Sequence, residues 1–232
     1  LLKDPKIHSV SASQRVPAER GYSDTGWETD VQTELFLSIF FTVDFDFVET
    51  YGLEIIAGRP FNETYSTDRL NKVIINETAV RKMGYTSAED AIGDKFQSEW
   101  LMEEMGIDEE GKIIGVMKDF HFKSMKNKIE PLTLFINEDW MNRISIKYQE
   151  GKEKETIPLA EKIWKKHFPG IDFNYAFLDD YLTAYYKAEQ KLQDILLIFT
   201  ILAILIACMG LFGLAMFIAQ QKVKEIGVRK AM

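Results

Sequence analysis

The chain has 232 residues, 46% of them hydrophobic and 28% charged, with a formal net charge of −8. That length supports one large or two small domains with real cores. An acidic chain argues against nucleic acid as a partner, since phosphate binding needs clustered Lys and Arg. The single cysteine, Cys208, excludes an internal disulfide and a cysteine metal site, and leaves the compartment open.

The N-terminus, LLKDPKIHSV, has no signal-peptide pattern. If the body lies outside the cell, an export signal must stand upstream, so the chain reads as a fragment. Residues 7–16 predict a strand that ends near Pro17, and the Gly-, Ser- and Asp-rich 21–30 predict a loop. Residues 33–44 carry β-branched and aromatic residues on both faces, which predicts a strand buried on both sides. Phe36, Phe40, Phe41, Phe45 and Phe47 crowd this stretch; core is the simpler reading, an apolar ligand groove the alternative.

Residues 44–52 predict a short helix stopped by Gly52, and 53–61 a brief strand with a turn at Gly58–Pro60. In 72–84 a strand leads into a helix capped by Asn76 and stopped by Gly84. Residues 91–97 lead into another strand, and 102–112 read as an acidic loop or hairpin. Strands follow at 111–122, 131–138 and 143–150, the last two alternating as if half-buried. Residues 153–170 predict a helix with Ile157, Ala160, Ile163, Trp164 and Phe168 on one face, and 172–179 a further strand. Residues 143–179 would then form a β-α-β unit, favouring a mixed layer of sheet and helices.

From Asp179 or Asp180, either able to cap it, a helix runs toward residue 194. Leu178, Leu182, Tyr185, Leu192 and Ile195 follow a three-to-four rhythm, a seam for one other helix. This is either a stalk (179–194) or an amphipathic helix resting on its own domain. Residues 195–218 then carry no charge. As a helix they would be roughly 36 Å long against a hydrocarbon core of about 30 Å. A transmembrane helix is expected. Ala203, Ala207 and Gly210 recur at helical spacing and either admit a second helix closely or are the ordinary small residues of a membrane span.

Residues 219–232 turn basic. Lys222, Lys224, Arg229 and Lys230 against Glu225 give +3, so with a total of −8 the body before the apolar run carries −11. Basic residues just past a membrane helix mark its cytoplasmic side. The acidic body is then extracytoplasmic.

Chemistry-bearing constellations are sparse. Asp119 and His121 lie two apart, which on a strand would share one face. The default is a satisfied polar pair at a strand end. Asp108, Glu109 and Glu110 lack the alternating ligand spacing of a calcium site. G-x-S-x-G, H-E-x-x-H, C-x-x-C and the phosphate-binding G-x-x-x-x-G-K-[ST] are absent. The expectation is no enzyme, no catalytic residue, no cofactor and no metal. Asn62-Glu63-Thr64 and Asn76-Glu77-Thr78 match a glycosylation pattern, but the second reads as a helix cap.

KVKEIGVRKAM (222–232) resembles the motif after the second membrane helix of FtsX-like and MacB-like ABC-transporter permeases. VDFDFVETYGLEIIAGRPF (43–61) is similar to that family's stretch ending in a Gly-Arg-x-Phe turn. VIINETAVRKMG with AIGDKF (73–96) resembles its asparagine–glutamate helix and Ile-Gly pattern. KIIGVMKDFHFKSMKNKIEPLTLF (112–135) is similar to its Lys-Asp-Phe-His-Phe segment, in the form common among Bacteroidetes. ACMGLFGLAMFIAQQKVKEIGVRKAM (207–232) resembles its second membrane helix. These segments, in order, span nearly the whole chain.

The resemblance implies an α+β fold: a porter-like α/β extracytoplasmic domain (1–59 and 116–180) with a smaller inserted subdomain (about 60–115), on a stalk helix continuing into one transmembrane helix. It implies a permease subunit of the inner membrane, one external domain plus the second helix of a longer plan. ATP-driven closure of a cytoplasmic ABC ATPase would be transmitted through the stalk, for efflux or export. A second permease copy and a periplasmic adaptor are the further implied partners, beside the lipid bilayer. Lys222, Lys224, Glu225, Gly227, Arg229 and Lys230 would meet the ATPase, or serve topology alone. The cargo is not legible, nor which half of a duplicated permease this would be. The alternative is an extracytoplasmic sensor signalling through one membrane helix; it predicts an output module after the tail, where a permease predicts two more apolar runs.

Overall fold

The computed structural model describes residues 1–231 except 20, 33, 70, 106–109 and 124–126, and without the side chains of 105, 182, 184–191 and 220–231. It divides into two units, Leu1–Tyr181 and Leu182–Met232. The first is a mixed α+β unit. Its strands are β1 (Ile7–Ser13), β2 (Asp24–Thr29), β3 (Phe36–Thr42), β4 (Ile55–Gly58), β5 (Lys72–Asn76), β6 (Phe96–Gln97), β7 (Lys112–Met117), β8 (Leu132–Phe135) and β9 (Arg143–Tyr148). The helices are α1 (Phe47–Tyr51), α2 (Glu77–Met83), α3 (Glu99–Met105), α4 (Glu153–His167) and α5 (Leu178–Ala231).

Seven strands form one sheet in the order β4-β7-β5-β8-β3-β2-β6. β5 is parallel to β7 and β3 to β8, while β5 and β8 run antiparallel. Side chains alternate across this sheet, as the pleat requires. Phe36, Phe40, Val73, Ile75 and Phe135 join one core cluster with Ala79, Val80 and Met83 of α2 and Leu101 of α3. Ile39, Phe41, Ile74, Leu132 and Leu134 join the other with Phe47 and Val48 of α1, Phe61 and Phe122. The crowded phenylalanines are therefore core: Phe36, Phe40, Phe41 and Phe47 are buried, and Phe45 packs partly buried beside them.

The sheet curls until its far strand approaches β7. β6 pairs with β2, and next to it Lys95 bridges Lys112, with Phe96 N–H donating to the Gly111 carbonyl at 2.9 Å. Inside the curl Trp27 stacks on Phe96, their ring centroids 4.8 Å apart. Within 60–115, β5 and β7 are thus bonded to strands of the flanking segments, β8 and β4.

A separate pair, β1 with β9, makes a two-stranded antiparallel sheet. Ser13 bridges Val43, and the Asp44 carboxylate accepts from Ser11 Oγ at 2.6 Å and from the Ala12 N–H. Burial pushes the Asp44 carboxyl above its ordinary value, against the pull of those bonds.

The Gly-Arg-x-Phe turn is explained by packing. Gly58 has φ +72°, and a Cβ there would lie 2.2 Å from the Ile114 carbonyl oxygen. Arg59 forms a two-pronged pair with buried Asp68, its Nη2 at 2.8 Å, which also accepts from Asn62 N–H at 3.1 Å. Phe61 is buried in the second cluster.

Several sequence expectations are corrected. The stretch 21–30 is not a loop throughout: Asp24–Thr29 form β2, because Trp27 buries and β3 supplies an antiparallel partner. β8 is buried on both faces rather than half-buried, since β3 and β5 flank it and both faces are covered. Part of the expected acidic loop at 102–112 is the end of α3. Residues 172–177 form no strand, so β9 and α4 do not complete a β-α-β unit. Their aromatic residues stack instead, Trp164 on Phe168 at 4.5 Å and Phe173 near Tyr175 at 5.8 Å.

The second unit is the long part of α5. Its segment Leu192–Ala219, 28 residues, is long and apolar enough to cross a membrane, and none of its most apolar stretch is buried in the protein. That brackets the expected 195–218. Ala203, Ala207 and Gly210 are exposed. Of the seam residues, Leu178 and Leu192 are exposed, and the side chains of Leu182 and Tyr185 lie outside those described.

Asn76 joins three elements of the sheet. Its Oδ1 accepts from the N–H of Ala79 and of Leu132, both at 3.0 Å, and its Nδ2 donates to the Glu130 carbonyl at 2.9 Å. Replacement by Ala leaves the Leu132 N–H and the Glu130 carbonyl without this partner. Asn76→Ala is expected to cost about 3 kcal/mol, read by urea unfolding of the chain in mild detergent with tryptophan fluorescence.

Candidate functional site

Two places gather chemistry-bearing side chains. The first is the end of β7, where the sequence placed Asp119 and His121. The strand stops at Met117, so the two residues lie beyond it and the shared-face argument fails. Asp119 instead turns to the N-terminus of α2. Its carboxylate accepts from Thr78 N–H at 2.9 Å, Thr78 Oγ1 at 2.8 Å and Arg81 Nη2 at 2.7 Å. In return Glu77 Oε2 accepts from the Asp119 N–H at 2.8 Å. Asn76 caps the third N–H of the helix and Asp119 the second, so two acceptors face the positive end of its dipole. His121 is exposed. The Asp119 carboxylate is occupied with α2, and no hydrogen bond joins it to His121 among the described residues. This is a structural junction of two sequence segments.

The acidic residues 108 and 109 lie outside the described residues, while Glu110 is exposed. No group of three or more His, Cys, Asp or Glu side chains suited to a metal occurs among the described residues. The side chains of Lys222, Lys224, Glu225, Arg229 and Lys230, and the surroundings of Gly227, also fall outside those described, within the backbone of α5.

The second place escaped the sequence reading. An open cleft of about 600 Å³ lies where the start of β2, the middle of β3, α3 and the turn 138–140 converge. Phe40 reaches it from the core. Trp100 and Trp140 flank Phe40 with ring centroids 6.5 and 6.3 Å from it and 5.8 Å from each other. Trp100 is 50% exposed, an unusual state for so large an apolar side chain. Asp24, Asp139 and Gln14 supply its polar lining.

Local bonds set these positions. Thr25 Oγ1 and Ser98 Oγ, 3.3 Å apart, tie the residue before α3 to β2 and so place Trp100. Asn137 Oδ1 accepts from Asp139 N–H at 3.0 Å, which orders the turn bearing Asp139 and Trp140. Gln14 N–H donates to the Thr42 carbonyl at 2.9 Å, but its buried Oε1 has no hydrogen-bond partner. The sequence signals were Phe40, in the phenylalanine cluster for which a groove was the alternative, and the isolated Trp100 and Trp140; their convergence had none.

Chains of known structure resemble this fold. The periplasmic region of MacB from Actinobacillus actinomycetemcomitans is 14% identical at a TM-score of 0.49, over 71% of this chain and 69% of that one. A domain of a permease protein from Porphyromonas gingivalis is 19% identical at 0.46, over 70% and 65%. The extracellular domain of the noncanonic ABC-type transporter YknZ from Gram-positive bacteria is 12% identical at 0.48, over 70% and 77%. No protein-family model and no curated protein sequence matches the chain.

Substitution separates the cap from the histidine. Asp119→Ala is expected to cost about 2 kcal/mol through lost capping. His121→Ala should stay within about 0.5 kcal/mol of wild type. Parallel urea unfolding of the two variants checks this.

Proposed function

We propose that the chain is an extracytoplasmic domain with the following membrane helix of an FtsX-like or MacB-like ABC-transporter permease. The observation that carries this reading is the exposed apolar segment Leu192–Ala219, followed by a segment carrying Lys222, Lys224, Arg229 and Lys230 against Glu225. An exposed apolar helix of this length has a low-energy place only in lipid. The cationic end retains it on the cytoplasmic side and leaves the acidic unit outside. Four separate segments resembling that permease family (43–61, 73–96, 112–135 and 207–232), in family order, support the finer reading.

In this reading the unit has no catalysis of its own. A cytoplasmic ATPase closes, α5 carries the motion outward, and the extracytoplasmic unit acts on cargo or on a periplasmic adaptor. A second copy completes the permease, with Ala203, Ala207 and Gly210 at a close helix crossing. The membrane is the inner membrane.

Topology is the first test. With Cys208 replaced by Ser, a single cysteine introduced by Lys154→Cys should react with a membrane-impermeant maleimide on intact spheroplasts. One introduced by Gln221→Cys should react only after permeabilisation. The opposite pattern, or equal labelling, ends the proposal.

Coupling is the second. In the intact permease purified with its ATPase, Lys224→Glu together with Glu225→Lys should lower permease-dependent ATP hydrolysis by about tenfold, through mispaired interface charges. Unchanged hydrolysis would leave the basic segment a topology signal alone.

A further inference from the structure

We propose that the cleft between Phe40, Trp100 and Trp140 binds a small organic cation, a protonated amine on an apolar or aromatic body. Its size, walls and polarity agree on this class. About 600 Å³ falls within the range of small-molecule sites. Indole rings are the best aromatic partners for a cation, and Trp100 is half exposed.

The polar groups around the aromatic walls are chiefly acceptors. Asp24 and Asp139 can only accept when ionised, and neither has an ion-pair partner among the described residues. Gln14 is a third lining residue, and its buried carboxamide oxygen has no hydrogen bond. A buried acceptor left unpaired is costly, and a turn of the Gln14 side chain toward the cleft would let a ligand N–H relieve it. No Lys or Arg lines the cleft among the described residues. Arg143, next to lining residue Asn142, bonds to the Asn142 side chain and is held by Glu19 at 2.9 Å.

Other ligand classes fit worse. An anion would meet two carboxylates with no Lys or Arg among the lining residues. A neutral apolar molecule would desolvate those carboxylates and leave the Gln14 oxygen unsatisfied. A quaternary ammonium would suit the rings but offer Gln14 no N–H. Binding of such an amine is a property of the globular unit and holds whether or not the chain serves a transporter.

Three probes with one indole body separate the possibilities: tryptamine, a cation; tryptophol, neutral; and indole-3-propionate, an anion. Binding to the full chain in nonionic detergent is measured by isothermal titration calorimetry at neutral pH. Tryptamine should bind at least about tenfold more tightly than tryptophol, and indole-3-propionate should not bind. Asp24→Asn with Asp139→Asn, which preserves shape, should remove the preference for the cation. Trp100→Ala, at a half-exposed position, should weaken tryptamine binding about tenfold while the unfolding midpoint stays near wild type. Equal affinity for the three probes, no saturable tryptamine binding, or wild-type affinity in both variants would overturn the assignment.

Discussion

The structure of the globular unit depends on how the N-terminus of one short helix is satisfied. α2 has seven residues, too few to hold itself together in water. Its free N–H groups are met from two directions, by Asn76 at the end of β5 and by Asp119 just past β7. Asn76 continues the linkage into the segment before β8, through Leu132 N–H and the Glu130 carbonyl. Three neighbouring strands of the sheet are thereby pinned at one end by two side chains. α2 in turn buries Ala79, Val80 and Met83 over one face of that sheet, so the cap and the core depend on each other.

That junction gives Asp119 a partner other than the histidine two residues away that its spacing offered. Here the carboxylate is spent on backbone and hydroxyl donors of another segment and on Arg81. The aromatic cleft lies elsewhere, where β2 and β3 meet the ends of α3 and the 138–140 turn. Its aromatic floor is continuous with the core through Phe40, which also lies 5.7 Å from Phe135 by ring centroid. A site built this way is stiff at its base and open at its rim.

Much of the unit was readable locally. The strand-then-helix of 72–84, its Asn76 cap and its Gly84 stop appear as expected, with Gly84 in the left-handed conformation. So do α1 with its Gly52 stop and β3, buried on both faces from Ser38 onward, with Leu37 exposed. Each is decided by residues within a turn or two of one another. The misreadings share a cause. Asp24–Thr29 looks like a loop until β3 lies beside it, and 172–177 looks like a strand but has no partner to pair with. Strand identity rests on distant neighbours, whereas capping and glycine stops do not.

By itself the sequence determined the long uncharged helix and the basic end after it, because length and the absence of charge are properties of a continuous stretch. It also determined the helix cap at Asn76, where donor and acceptor are three residues apart. Only the tertiary structure decided that Asp119 would serve that same helix rather than His121. Only the fold could bring Gln14, Asp24, Phe40, Trp100 and Asp139 to one cleft. Those residues are separated by long loops and strands, and their meeting is set by sheet order and curl, which no local pattern encodes.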